Sequence, residues 1–290
     1  MKTKKYAAID IGSNAMRLLI NNIIEYQGEV YYKKVAITRL PIRLGTEAFM
    51  DKKISEANIE KMIYGMRAFS DLMKVHGVVK YRACATSAMR DASNGAEIIE
   101  KIKNETGVSI EVISGDEEAE IIYATHIEKL INRPFNFLYL DVGGGSSEFT
   151  LFANGEIVMS KSFNIGTIRI LNNLVTESHW QEMQDWLAEV TKNYKVYFIG
   201  SGGNINKVFK LSRKPMGESL SLEYIEDYLE LLKQHSYEER VVKLDLNLDR
   251  ADVIIPALTI FTNAMKWSNS TEIFVPKIGL SDGIIKSILE

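Results

Sequence analysis

Residues 141–151 read DVGGGSSEFTL, and residues 10–20 read DIGSNAMRLLI. Laid over one another, the two stretches share an aspartate, an aliphatic residue and a glycine, then small residues that lead into an apolar run. The match resumes after the next turn, where QGEVYYKKVAI (27–37) sits over NGEIVMSKSFN (154–164). A unit of strand, glycine turn, strand, tight turn and strand therefore occurs twice. One glycine turn alone reads equally well as ordinary loop punctuation. Two in register, each preceded by Asp, read as an internal duplication. Two copies are too few and too irregular for a solenoid, so the expectation is an α/β protein of two similar domains, with a ligand in the cleft between them.

The chemistry of the second stretch points to the ligand. A strand-end Asp followed by Gly143, Gly144, Gly145, Ser146 and Ser147 lets the backbone come close to an anion and aim several N–H groups at it. Phosphate is the obvious anion. Asp141 and Glu148 would repel it unless a hard cation lay between, and Mg²⁺ binds in this way, through one or two carboxylates plus phosphate oxygens and water.

Elsewhere the chain fills out two domains. Apolar residues at Ile59, Met62, Ile63, Met66, Phe69, Leu72 and Met73 recur at helical spacing between Ser55 and His76. Strands are expected at YRACAT and SIEVI, and a helix opening at SGDEEAEIIYA. The segment Asn132–Asn136 breaks the pattern and is the expected boundary, giving domains 1–130 and 131–290. With 290 residues, 46% of them hydrophobic, the chain can bury two ordinary cores. Its single cysteine, Cys84, excludes internal disulfides and cysteine-rich zinc sites, and its four histidines have no ligand spacing. A net charge of −3 argues against bulk attraction to nucleic acid or an anionic membrane. No run of apolar residues has the length of an export signal core or a membrane span, so a cytoplasmic protein is expected.

Eight motifs carry a resemblance over nearly the whole chain: DIGSNAMRLLI, ATSAMRDASNG, SGDEEAEII, DVGGGSSEF, FNIGTIRIL, FIGSGG, RADVIIP and GLSDGII. In order and approximate spacing they resemble the exopolyphosphatase and guanosine pentaphosphate phosphohydrolase family. That family belongs to the superfamily of actin, the Hsp70 ATPase domain and the sugar kinases. The resemblance implies two duplicated ribonuclease-H-like domains and hydrolysis of a terminal phosphoanhydride, of polyphosphate or of pppGpp, with Mg²⁺ or Mn²⁺. It places Asp10, Ser13 and Asn14 in a first phosphate loop and Asp141 through Glu148 in a second, Asp141 and Glu148 being metal or water-orienting carboxylates. Arg90 matches a phosphate-binding arginine, and Glu118 the residue that activates water. Three positions depart from the pattern: Asn204 stands for threonine, Ala257 for glycine, and Thr125 for the glycine that closes the Glu118 helix. The sequence stops at Glu290, without the large helical extension of longer members, so no long polyphosphate channel is expected. A homodimer is expected on family grounds alone.

Without the resemblance these residues carry less. Asp116, Glu117 and Glu118 suit the first turn of any helix, and Arg90 reads as a solvated arginine. Gly202 and Gly203, after a strand and before a helix, could seat a phosphate against helix N–H groups. Lys207, Lys210, Arg213 and Lys214 could track a polyanion or simply form a solvated face. Two other functions fit parts of the pattern. A kinase or ATPase shares both Asp-Gly loops, and a silent sensor would bind (p)ppGpp without hydrolysing it. The joint presence of Asp10, Glu118, Asp141 and Glu148 favours the phosphatase, since binding alone needs no base for water.

Overall fold

The alternation of aliphatic and β-branched residues in KTKKYAAIDI and MRLLINNIIEY is the pattern of a strand pair with one or both faces covered. The computed structural model, which describes residues 2–123, 125, 136–154 and 156–289, shows that pair as β1 (Lys2–Ile11) and β2 (Met16–Tyr26). A turn with Gln27 at φ 54° and Gly28 at φ 84° leads into β3 (Glu29–Leu40), the expected meander. Both angles are positive, as a two-residue hairpin turn requires. The helix expected after Ser55 is α2 (Glu56–His76), which follows the short α1 (Leu44–Met50). It starts where the Ser55 hydroxyl accepts from Asn58 N–H and stops at Gly77. Its Ile59, Met62, Ile63, Met66 and Phe69 are buried, the face that the spacing predicts.

Strand β4 (Lys80–Ala85) runs parallel to β1. After α3 (Ser87–Asp91) and α4 (Gly95–Thr106), the two-residue β5 (Glu111–Val112) runs parallel to β4 and leads into α5 (Gly115–Tyr123). The first sheet has the order β3-β2-β1-β4-β5.

The second unit repeats this order. It begins with the hairpin chain β6 (Asn136–Val142), β7 (Ser147–Ala153) and β8 (Glu156–Phe163). After α6 (Thr167–Leu171) and α7 (Glu177–Asn193), strand β9 (Val196–Ser201) pairs parallel with β6. Then come α8 (Gly203–Leu211), β10 (Ser219–Ser221), α9 (Leu222–Lys233), α10 (Tyr237–Val242), α11 (Ile254–Trp267) and β11 (Glu272–Phe274), which is parallel to β9. The sheet order is β10-β11-β9-β6-β7-β8, so read from its β8 end it is the first sheet with one antiparallel strand added at the far edge. Even the irregularity is kept, since the bulges fall between Ile20 and Asn21 and between Leu151 and Phe152. The expected α/β fold of two duplicated ribonuclease-H-like domains is the fold observed.

By packing, one unit comprises residues 1–125 with Leu280–Glu290, and the other His126–Gly279. The sequence reading ran its second domain through to 290. Instead the last helix, α12 (Leu280–Ser287), packs on α5, β1, β2 and β4 of the first unit. The cause lies in its sequence: Leu280, Ile284 and Ile285 form an apolar face, and Gly283 brings its backbone against the Ile121 carbonyl of α5. Residues 132–135 of the expected boundary, and Gly155 of the second hairpin turn, lie outside the described residues.

Candidate functional site

In each unit three parallel strands deliver their following loops to one edge of the sheet, the carboxyl edge where open α/β sheets bind ligands. In the first unit these are residues 12–15 after β1, Thr86–Arg90 after β4, and residues 113–118 after β5. In the second they are residues 143–146 after β6, residues 202–203 after β9 and residues 275–279 after β11. Every residue expected at the site thus falls on one of these two edges.

The two phosphate-loop candidates share a turn, bond for bond. Gly12 N–H donates to the Ala15 carbonyl at 3.1 Å, and Gly143 N–H to the Ser146 carbonyl at 3.0 Å. A short helix locks each loop from behind: Gly45 N–H of α1 donates to the Ser13 carbonyl at 2.8 Å, and Ile168 N–H of α6 to the Gly144 carbonyl at 2.8 Å. The helix can approach the second loop so closely only because residue 166 is glycine, since a Cβ there would overlap the Gly144 oxygen and the Gly145 carbon.

In the first loop, the buried Ser13 hydroxyl meets that of Ser87 at 2.9 Å, which joins the DIGSN and ATSAMR motifs directly. The Asn14 carbonyl accepts from Arg43 N–H. Asp10 is buried, opposite Arg17 in the hairpin register and 3.4 Å from its guanidinium. Burial pushes its carboxyl above the usual range, and Arg17 and a hydrogen bond from Ser281 pull the other way. Arg90 donates to the Ile113 carbonyl at 2.6 Å and so ties the loop after β4 to the one that opens α5. On α5, Ser114 caps the helix by accepting from Glu117 N–H. The neighbouring glutamates then part: Glu117 is ion-paired with Arg82 at 2.8 Å, while Glu118 is buried. The thiol of Cys84, beside Asp10 in the register, is pushed up by burial and is a poor nucleophile.

In the second unit Asp141 stands directly opposite Glu148, and Glu148 opposite Ser162, whose hydroxyl donates to Glu148 Oε1 at 3.1 Å. Arg169 supports the loop by donating from Nε to the Gly145 carbonyl at 2.7 Å. Ser147 is fully buried and commits its hydroxyl proton to the Ile165 carbonyl at 2.6 Å, so its side chain turns into the fold. Gly202 has φ 107°, and a Cβ on it would come within 2.9 Å of the Val142 oxygen and 3.3 Å of Asp141 Oδ1. The third glycine cluster, with Gly203 opening α8, is therefore brought against Asp141.

Of the basic cluster beyond it, Lys207 and Lys214 donate to the backbone carbonyls of Asp245 and Ser219. Those bonds favour the reading of a solvated, fold-supporting face. Thr125, the departure at the end of α5, is accommodated by bonding both its amide and its hydroxyl to the Ile122 carbonyl, while Lys286 of α12 donates to its own carbonyl.

Among the described residues no group of three or more His, Cys, Asp and Glu is placed to hold a metal. The oxygen donors at the second loop are the carboxylates of Asp141 and Glu148. That set fits Mg²⁺, which keeps several waters and takes substrate oxygens, better than an all-protein metal cage. Nor does any helix among the described residues have the length and apolarity to cross a membrane.

Sequence reasoning missed Arg17, Ser87, Ser162, Arg169 and Ser281. Arg17 had a signal, since the repeat alignment places it over Glu148. The others depend on contacts between distant parts of the chain.

Two sheets of matching strand order, each with a strand-end Asp and a glycine or serine loop at its carboxyl edge, define a duplicated α/β protein of ribonuclease-H-like fold. The model of the Ppx/GppA phosphatase family matches residues 23–290, and the chain belongs to that family. It is 30% identical over 311 residues to the bifunctional 3-dehydroquinate synthase/phosphatase of Fusobacterium nucleatum, covering 98% of this chain and 46% of that protein. It is 30% identical over 168 residues to the guanosine-5'-triphosphate,3'-diphosphate pyrophosphatase of Aeromonas hydrophila, covering 58% of this chain and 33% of that one. The chain thus spans half or less of the length of these curated relatives. The crystal structure of an exopolyphosphatase from Cytophaga hutchinsonii superposes with a TM-score of 0.85 at 24% identity, covering 99% of this chain and 98% of the other.

Proposed function

We propose that the chain is a phosphohydrolase that removes the terminal phosphate of inorganic polyphosphate or of pppGpp by attack of water on a phosphoanhydride. The observation that carries this reading is the placement of Glu118. It is a buried carboxylate in the first turn of a helix at the carboxyl edge, while its neighbour Glu117 is held by Arg82. A carboxylate kept from bulk solvent at a phosphate-binding edge suits a general base that orients water.

The loop amides of residues 12–15 and 143–146, with Ser13, Asn14, Ser146, Gly202 and Gly203, bind and orient the phosphates, and Arg90 adds a positive charge beside the opening of α5. Asp141 and Glu148 would hold Mg²⁺ or Mn²⁺, which supplies charge neutralisation for the phosphoryl group. Membership of a phosphatase family supports the reaction class. The substrate pair is supported by the names of similar proteins, an exopolyphosphatase and a guanosine-5'-triphosphate,3'-diphosphate pyrophosphatase.

The test is phosphate release, with Mg²⁺, from short polyphosphate, long polyphosphate and pppGpp, by the wild type and by Glu118→Gln. The expected loss in the variant is ~10²-fold or more with substrate still bound. No release from any of the three, with ppGpp bound, would promote the silent sensor. Release from ATP alone, assayed in parallel, would promote the ATPase.

A further inference from the structure

We infer that Arg82 is a positioning residue for the reaction, acting through Glu117 to set the roll of helix α5 and with it the direction of the Glu118 carboxylate. This rests on the role proposed above for Glu118.

Arg82 lies in the middle of β4, two residues before Cys84 and so on the same face as Asp10. Its three guanidinium nitrogens go to three different elements. Nε donates to Glu111 Oε1 on β5, Nη1 to Ser287 Oγ on α12 at 2.8 Å, and Nη2 to Glu117 Oε1 on α5 at 2.8 Å. The Ser287 hydroxyl is itself oriented, since it donates to the Ile284 carbonyl at 3.0 Å. A planar fork that satisfies three partners at once fixes their relative directions in a way that an ammonium on a flexible stem does not. Arg82 is also only about a quarter exposed, so the pair is less screened than a surface one.

The other hydrogen bonds described for α5 act at its two ends. Arg90 holds the Ile113 carbonyl before the helix, Ser114 caps it, and Lys286 takes the Thr125 carbonyl after it. These three bonds lie at the ends and fix the helix along its axis. Rotation about the axis is resisted by the buried Ala119, Ile121 and Ile122 and by Gly283 against Ile121, which are packing contacts and not directional bonds, and by the ion pair of Glu117. Glu117 and Glu118 project about 100° apart on the helix. Pinning the first on Arg82 therefore aims the second, and a small roll would move a base out of line with its water, an error that costs rate more than binding.

The test measures kcat and KM for phosphate release from short polyphosphate and pppGpp by wild type, Arg82→Met, Arg82→Lys, Glu117→Gln, and each of these combined with Glu118→Gln. Expected for Arg82→Met is a fall in kcat of about tenfold or more with KM changed less than about threefold. Arg82→Lys should recover part of the rate, and Glu117→Gln should lose less than Arg82→Met. In the Glu118→Gln background Arg82→Met should cost nothing further, because it acts through the side chain already removed. An equal loss in both backgrounds, or a loss confined to KM, overturns the inference. Hydrogen exchange of the α5 amides gives a reading independent of turnover. Protection should fall in Arg82→Met while that of α2 is kept, and unchanged α5 protection overturns the inference even where kcat drops. If the wild type releases no phosphate, or Glu118→Gln retains full rate, the proposed function fails, and hydrogen exchange still decides whether Arg82 holds α5.

Discussion

In the first unit, Asp10 faces Arg17 across the hairpin and Arg17 faces Arg39; in the second, Asp141 faces Glu148 and Glu148 faces Ser162. The backbones around the two aspartates are alike down to the turn bond and the supporting short helix, while the charge of the cross-strand row is inverted. The first row carries its own cations within the protein. The second joins two carboxylates in adjacent strands, one of which accepts from the Ser162 hydroxyl. One duplicated scaffold thus carries an aspartate beside an arginine at one edge and two facing carboxylates at the other.

The sharpest way to break this contrast is to give the second row the charge of the first. Glu148→Arg should pair with Asp141 and lower phosphate release by more than ~10²-fold, with the response to added Mg²⁺ lost. Metal titration of the activity checks it, and an unchanged Mg²⁺ dependence would remove Glu148 from the metal site. The loop supports differ more gently. In Gly166→Ala the new methyl would overlap three backbone atoms of residues 144–146, whereas in Gly45→Ala it would meet the Phe49 ring at 2.8 Å, which can turn, and Ser13 Cβ at 2.9 Å, which a small movement of the loop relieves. Urea unfolding should show about 2–3 kcal/mol lost for the first and about 1 kcal/mol for the second.

The smallest effect concerns Asp10. Its raised carboxyl means that the folded chain holds a proton after the unfolded chain has lost its own near the ordinary value of 3.8. Stability therefore falls as pH rises from there through the folded value. Asp10→Asn removes that penalty, so in metal-free buffer its Tm relative to wild type should be higher at pH 7 than at pH 4, by about 2 °C for each unit of the shift. A Tm difference that does not change with pH would mean that Arg17 and Ser281 fully offset the burial.

Much of this contrast was legible in the sequence, because a duplication is visible wherever both copies keep the residues that backbone geometry demands. Asp-x-Gly, the small residues of the loop and the paired turns are such residues. The inverted charge could have been read as well, since Arg17 and Glu148 share an aligned position. What sequence could not supply were partners brought close by tertiary packing. Ser87 reaches Ser13, and Ser281 reaches Asp10, from chain segments with no periodic relation to the loops. The division of the pair at 117 and 118 was equally hidden, because two adjacent glutamates in a first turn look alike until Arg82 claims one. The placement of α12 was missed for a related reason: an amphipathic helix shows that it needs a surface, not which one.

That helix sets an order of events during synthesis. The first sheet emerges early from the ribosome, but the helix that covers its β1, β2 and β4 face and buttresses α5 is translated only after the whole second unit. At ordinary elongation rates the delay is on the order of ten seconds. The continuous second unit can complete its own core while the first waits with an apolar face uncovered, so the half of the protein made first is the half finished last.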